Sequence, residues 1–187
     1  MRELDQKAQR YWDESIATCN KILAAGEGNT NAMNALQRVY ALTGNYAESL
    51  NWSARILERT TEELGSWRRM LEEKDLTDSE ENVFRKNEHA SLALETDTHI
   101  FAATLLFRLQ RYDEALVHLD AVVMSSPELA QAYSIRGQLR ARVGQYEAAI
   151  QDLDRYLALS DAPYENADVQ KAFELRAEAQ KHVGEAR

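Results

Sequence analysis

The amino-acid sequence predicts an all-α fold, a solenoid of antiparallel helix-turn-helix units stacked on one another. Three observations carry that prediction. Tyr112-Asp113-Glu114-Ala115 returns thirty-four residues later as Tyr146-Glu147-Ala148-Ala149, and Trp12-Asp13-Glu14-Ser15 returns at the same interval as Tyr46-Ala47-Glu48-Ser49. A fixed period of about 20 to 50 residues marks units that bury one continuous core by stacking. Leucine, alanine and aromatic residues recur at helical spacing along most of the chain, and two prolines in 187 residues leave long stretches free for helix.

In chain order, residues 1–29 read as a partial unit. Trp12, Ser15, Ile16, Cys19, Ile22 and Leu23 fit the second helix of such a unit, with Trp12 near its start. The first clear unit spans 30–59: Met33, Leu36, Val39, Tyr40 and Leu42, a turn at Gly44, then Tyr46, Leu50, Ile56 and Leu57. Ser49 and Ser53 stand there where an alanine and a bulkier residue are expected, so this copy is divergent.

Residues 60–95 are read as a degenerate unit. Thr60-x-x-Glu63 offers a capping box for a helix with Leu64, Trp67, Met70 and Leu71; Asp78-x-x-Glu81 offers another for a helix with Val83, Phe84, Asn87, Ala90 and Leu94. The alternative is one long continuous helix followed by an acidic loop from Glu72 to Asn82.

The unit at 96–129 opens on Thr96 as N-cap and carries Ile100, Phe101, Leu105, Leu106 and Leu109. A turn at Gln110-Arg111 leads to Tyr112, Ala115, Leu116, Leu119, Val122 and Val123, and Pro127 closes the unit because proline begins a helix better than it continues one. The unit at 130–163 repeats the plan with Ala132, Tyr133, Ile135, Gly137 and Leu139, a turn at Gly144, then Tyr146, Ala149, Ile150, Leu153, Tyr156 and Leu157. Gly137 and Ala149 suit a close helix crossing. Residues 164–187 hold one amphipathic helix with Val169, Ala172, Leu175, Ala179 and Val183 on one side, the capping helix that such an array needs.

These units resemble the tetratricopeptide repeat (TPR) family, whose repeat is a thirty-four-residue helix-turn-helix. The likeness is best over 96–129, with its Tyr-x-x-Ala step and Pro127, and nearly as good over 130–163, where Tyr133, Gly137, Gly144, Tyr146 and Ala149 occupy signature positions. Arg136 and Arg140 depart from the pattern, which has an apolar and an aromatic residue there; either the inner packing is weakened or something else docks. The resemblance implies a single domain over 1–187, wound as a right-handed superhelix whose concave face is lined by the first helix of each unit. It also implies a protein-interaction scaffold that holds an extended peptide or a helix in that groove.

Mapping the groove face residue by residue gives Asn31, Asn34, Arg38, Arg68, Ile100, Thr104, Phe107, Arg108, Gln131, Ser134, Gln138 and Arg142. Arg108 and Arg142 are one repeat apart, and with Arg38 and Arg68 they would make a basic surface suited to an acidic segment or a terminal carboxylate. Pairing of these arginines with neighbouring glutamates is the equal alternative. Self-assembly into a homo-oligomer through open repeat ends, and service as a regulatory or targeting module of a larger enzyme or secretion system, are the competing functions.

Composition narrows the classes. A net charge of −9 without a long basic run disfavours nucleic acid and anionic membrane surfaces. The longest apolar runs fall short of a membrane span, and residues 1–5 do not open a signal peptide. The cytoplasm is the default location, although a piece of an exported protein reads the same. Cys19, the single cysteine, fits a packed helix face better than a nucleophile. The four histidines, His89, His99, His118 and His182, lack the spacing that would put two metal ligands on one helix face. Glu72, Glu73, Asp75, Asp78, Glu80 and Glu81 read as a solvated turn. Trp52 falls off the apolar stripe and is expected at the surface, whereas Trp67 is expected in the core of the degenerate unit. No cofactor, metal or catalytic constellation is expected.

Overall fold

The computed structural model of the chain describes residues 2–26, 28–73 and 75–185. All regular structure among them is helical: α1 (Arg2–Ala25), α2 (Thr30–Leu42), α3 (Tyr46–Leu71), α4 (Asp78–Arg108), α5 (Tyr112–Ser125), α6 (Ala130–Arg142), α7 (Tyr146–Leu159) and α8 (Ala167–Glu185). Short polar residues start several of them by taking up orphan backbone donors. Asn29 accepts from the Ala32 amide at 3.0 Å, Asn45 from Glu48 at 3.3 Å, and Asn166 from Asp168 at 2.9 Å.

The helix ends keep the repeat interval. The Arg111 amide donates to the Leu106 carbonyl at 2.9 Å and, thirty-four residues on, the Gln145 amide donates to Arg140 at 2.8 Å. Each bond closes a helix around a residue in the left-handed region, Gln110 at φ 60° and Gly144 at φ 80°.

The middle of the chain follows the second sequence reading in part: a long continuous helix runs to Leu71, but a helix resumes at Asp78 instead of after Asn82. α3 runs for 26 residues and α4 for 31, against 13 or 14 for α2, α5, α6 and α7. Thr60 caps nothing: it is buried inside α3, and its hydroxyl donates to the Ile56 carbonyl at 3.0 Å. Glu63 takes Arg59 instead, at 3.0 Å. Thr96 is likewise interior to α4. The capping box before α4 lies one residue earlier than read: Glu80 accepts from the Thr77 amide at 2.9 Å, and Thr77 Oγ1 accepts from the Glu80 amide at 3.3 Å. Boundaries at 59/60 and 95/96 therefore fall within continuous helices, and α3 ends at Leu71 while α4 begins at Asp78. Trp12 lies in the middle of α1, not at a helix start.

The chain forms two compact units, Met1–Thr98 and His99–Arg187. In the first, Cys19 and Leu23 of α1, Met33 and Leu36 of α2, and Trp52 and Ile56 of α3 make one core, with Leu94 of α4 packed on it. Trp52 is thus buried, 8% exposed, with the Arg55 guanidinium 4.3 Å over its ring. Ser49 and Ser53 are also buried and satisfied: Ser49 Oγ donates to the Gln37 carbonyl at 2.7 Å, and Gln37 Nε2 donates to Ser53 Oγ at 2.7 Å. The two serines cross-link α2 and α3 through polar contacts where alanine would only pack. Beyond this core α3 and α4 continue as a hairpin, with Trp67 half-buried on Phe84 at 6.1 Å between ring centroids.

In the second unit Tyr133 of α6, Leu153 and Tyr156 of α7, and Val169 and Ala172 of α8 form the core. Arg136 and Arg140 neither weaken it nor wait for a partner. Arg136 holds Asp152 through a bidentate fork at 2.6 and 2.9 Å and reaches Asp120 at 2.7 Å; Arg140 donates to Asp152 at 2.9 Å. Asp152 is 3% exposed, so two arginines neutralise a buried carboxylate and tie α5, α6 and α7 together.

Candidate functional site

Within the second unit the end of α4, α6 and α8 enclose a cleft of about 490 Å³. Its floor is apolar because each helix turns a small or aliphatic residue inward: Ala103 from α4, Ile135 and Leu139 from α6, Leu175 and Ala179 from α8, with Leu119 of α5 beneath. Its rim is polar, with Thr104, Gln138, Arg142, Lys171, Glu178 and His182. At one end His182 stacks on Tyr146, ring centroids 4.4 Å apart and planes inclined by 11°.

Arg142 is fixed by aromatic rings. Its guanidinium carbon lies 5.4 Å from the Phe107 centroid and 5.9 Å from that of Tyr112, and its Nε donates to the Tyr112 hydroxyl at 3.2 Å. Phe107 and Tyr112 lean on each other at 5.6 Å. The last residue of α6 is thereby held against the α4–α5 turn.

No protein-family model matches the chain. Among curated proteins, 99 residues are 29% identical to the peptidyl-prolyl cis-trans isomerase FKBP42 of Arabidopsis thaliana, covering 53% of this chain and 26% of that protein. The chain thus spans about a quarter of the length of the curated relative it matches. Among solved structures, a crystal structure of MamA superposes with a TM-score of 0.56 at 15% identity, covering 97% of this chain and 90% of that one. The TPR2B domain of yeast Sti1, solved as a complex with pHsp70, superposes with a TM-score of 0.52 at 10% identity over 81% and 96%. The chain has the tetratricopeptide-repeat fold.

On this TPR fold the expected groove residues divide. Thr104, Phe107, Gln138 and Arg142 line the cleft. Arg108, the repeat equivalent of Arg142, does not, nor do Ile100 and Gln131. Ser134 is buried and accepts from Gln138 Nε2 at 3.1 Å. Asn31, Asn34 and Arg38 lie on α2 in the first unit, where Arg38 Nε donates to Asn34 Oδ1 at 3.1 Å. Arg68 sits on the α3–α4 hairpin and pairs with Glu88 at 3.2 Å, the glutamate pairing given as the alternative.

The residues missed are those of α8, which was read as a cap alone. The signal was present: the thirty-four-residue interval carries 130–142 onto 164–176, which falls largely on α8 and brings Lys171 and Leu175 into the place of a further first helix.

Two histidines also come together where no single-helix spacing suggested it. His99 of α4 and His118 of α5 are joined Nδ1 to Nδ1 at 2.8 Å, with ring centroids 5.1 Å apart. That centroid separation equals the nitrogen separation plus about one ring radius at each end, so the two lone-pair axes face each other. This is the geometry of an N–H···N hydrogen bond, one ring donating and the other accepting, and not of two ligands converging on a metal. Among the described residues no group of three or more His, Cys, Asp or Glu is placed to hold a metal ion.

Proposed function

We propose that the chain is a protein-interaction module without catalysis of its own, taking a peptide or a helix of a partner protein into the cleft between α4, α6 and α8. The observation that carries the reading is the cleft itself, with an apolar floor and hydrogen-bonding groups at the rim, the makeup of a site that orients a ligand after desolvating it. The Sti1 domain of the same fold, solved with pHsp70, supports it as a precedent for the fold.

The finer reading is that the segment is acidic, since the rim offers Arg142 and Lys171 on a chain of net charge −9. The cytoplasm is the location that goes with this reading. Among the described residues no helix is long and apolar enough to cross a membrane.

The test is a selection of displayed peptides on the immobilised full chain, repeated on Thr104→Trp, which puts a large side chain at the exposed mouth. Wild type should enrich binders, and Thr104→Trp should weaken them by about tenfold or more. No enrichment, or binders indifferent to Thr104→Trp, overturns the proposal.

A further inference from the structure

Arg142 differs from most of the chain's described arginines. Arg10, Arg59, Arg68, Arg85, Arg111, Arg136, Arg140, Arg155 and Arg176 each pair with a carboxylate of the chain itself. Arg142 pairs with none among the described residues, on a chain with 31 acidic side chains against 22 basic ones. Its one hydrogen bond uses Nε, to the Tyr112 hydroxyl, and the rings of Phe107 and Tyr112 hold the guanidinium from the side. The terminal nitrogens keep their donors. A guanidinium placed in advance by rings loses little side-chain entropy when a ligand arrives, which makes it a selective contact and not merely a nearby charge.

The surroundings define what it selects. Of the charged side chains lining the cleft, Arg142 and Lys171 are cationic and Glu178 is the acid, and neither Lys171 nor Glu178 is engaged in an ion pair among the described residues. The adjoining floor of Leu119, Leu139 and Leu175 is apolar, so a bound segment displaces water there and the charge contact is made in a poorer dielectric than bulk solvent.

Resting on the peptide-binding reading above, we infer that Arg142 is the specificity-determining residue of the cleft. It reads the side-chain carboxylate of an Asp or Glu that the partner segment presents next to an aliphatic or aromatic anchor laid on the leucine floor. The ligand class is therefore an amphipathic acidic motif, not a uniformly acidic tail. Selection rests on one ring-supported arginine and not on a ladder of equivalent arginines, because Arg108 lies outside the cleft.

The peptides enriched on wild type decide this by their composition and by a cycle of substitutions. They should carry an acid within about a helical turn of a large apolar residue. Changing that acid to its amide should cost at least about tenfold in Kd on wild type and almost nothing on Arg142→Gln, with Arg142→Lys in between because it keeps the charge and loses the fork. Circular dichroism checks that both variants keep their helix content. Enrichment of acid-free or basic peptides, or acid and Arg142 effects that simply add, overturns the inference and leaves the peptide-binding reading standing. Failure to enrich any peptide, or indifference to Thr104→Trp, removes the reading beneath it.

Discussion

At Gln110 the backbone stands at φ 60°, where Gly44 and Gly144 stand at 79° and 80° in the equivalent turns. A side chain in the left-handed region costs about 1–2 kcal/mol, part of which glycine returns through its looser unfolded state. Gln110→Gly should therefore raise stability by up to about 1 kcal/mol, read as a higher urea midpoint at unchanged slope. Asp152 poses the opposite case. Asp152→Ala leaves two arginines facing a half-exposed Asp120 alone, and a loss of about 3 kcal/mol is expected from an orphaned buried charge. Asp120→Ala should cost well under half as much, because Asp152 still serves both arginines.

The histidine pair adds a pH dependence. Burial, and next the proximity of His118, hold His99 down to about 4, and burial lowers His118 against the pull of Glu114. Between the ordinary value of 6.5 and about 4, the unfolded chain binds protons that the folded pair refuses. Stability supplied by the pair is complete above about pH 6.5 and is lost as pH falls through that window. The advantage of wild type over His99→Gln in urea midpoint should shrink between pH 7.5 and 4.5. A constant advantage contradicts the assignment.

Helix identity was legible where local chemistry and packing agree. The 130–163 unit shows this: glycine ends α6, Tyr146 starts α7, and Gly137 sits at the crossing as expected. A Cβ there would come within 3.0 Å of Leu153 Cγ and 3.2 Å of Asp152 Cβ. Gly137→Ala should force α6 and α7 apart and destabilise by about 1–3 kcal/mol despite alanine's better helix propensity, measurable by thermal or urea melting. Local chemistry misled where it was read without packing. Thr60-x-x-Glu63 has the pattern of a capping box, yet Thr60 is buried and bonds the preceding turn of α3, so the helix continues through it. Thr96 and Trp52 failed alike: α4 passes through the one, and the core that α3 forms with α1 and α2 takes in the other.

Over the whole molecule burial is uneven. From residue 65 to residue 90 no described side chain is buried, although both helices are continuous there. Those turns rest on each other through Trp67–Phe84 and Arg68–Glu88, without a core beneath them. Helical turns hold weakly without tertiary packing, whatever the length of the helix they extend, so this hairpin should open first. Hydrogen exchange should show amides of 65–90 protected at least about tenfold less than those around Leu36 and Ile56, and equal protection contradicts that ordering.

The sequence alone determined the all-α repeat plan, because periodic apolar spacing and a recurring turn are local properties written every thirty-four residues. Four of the side chains that line the cleft, Thr104, Phe107, Gln138 and Arg142, were among those that the family resemblance put on the groove face. Only the tertiary structure decided which repeat equivalents share a site, that α8 is a wall of it, and that Arg136 and Arg140 are committed to Asp152 while Arg142 is not. Those outcomes depend on which carboxylate, ring or leucine a neighbouring helix brings within reach, and distance across a helix interface is not encoded in spacing along the chain.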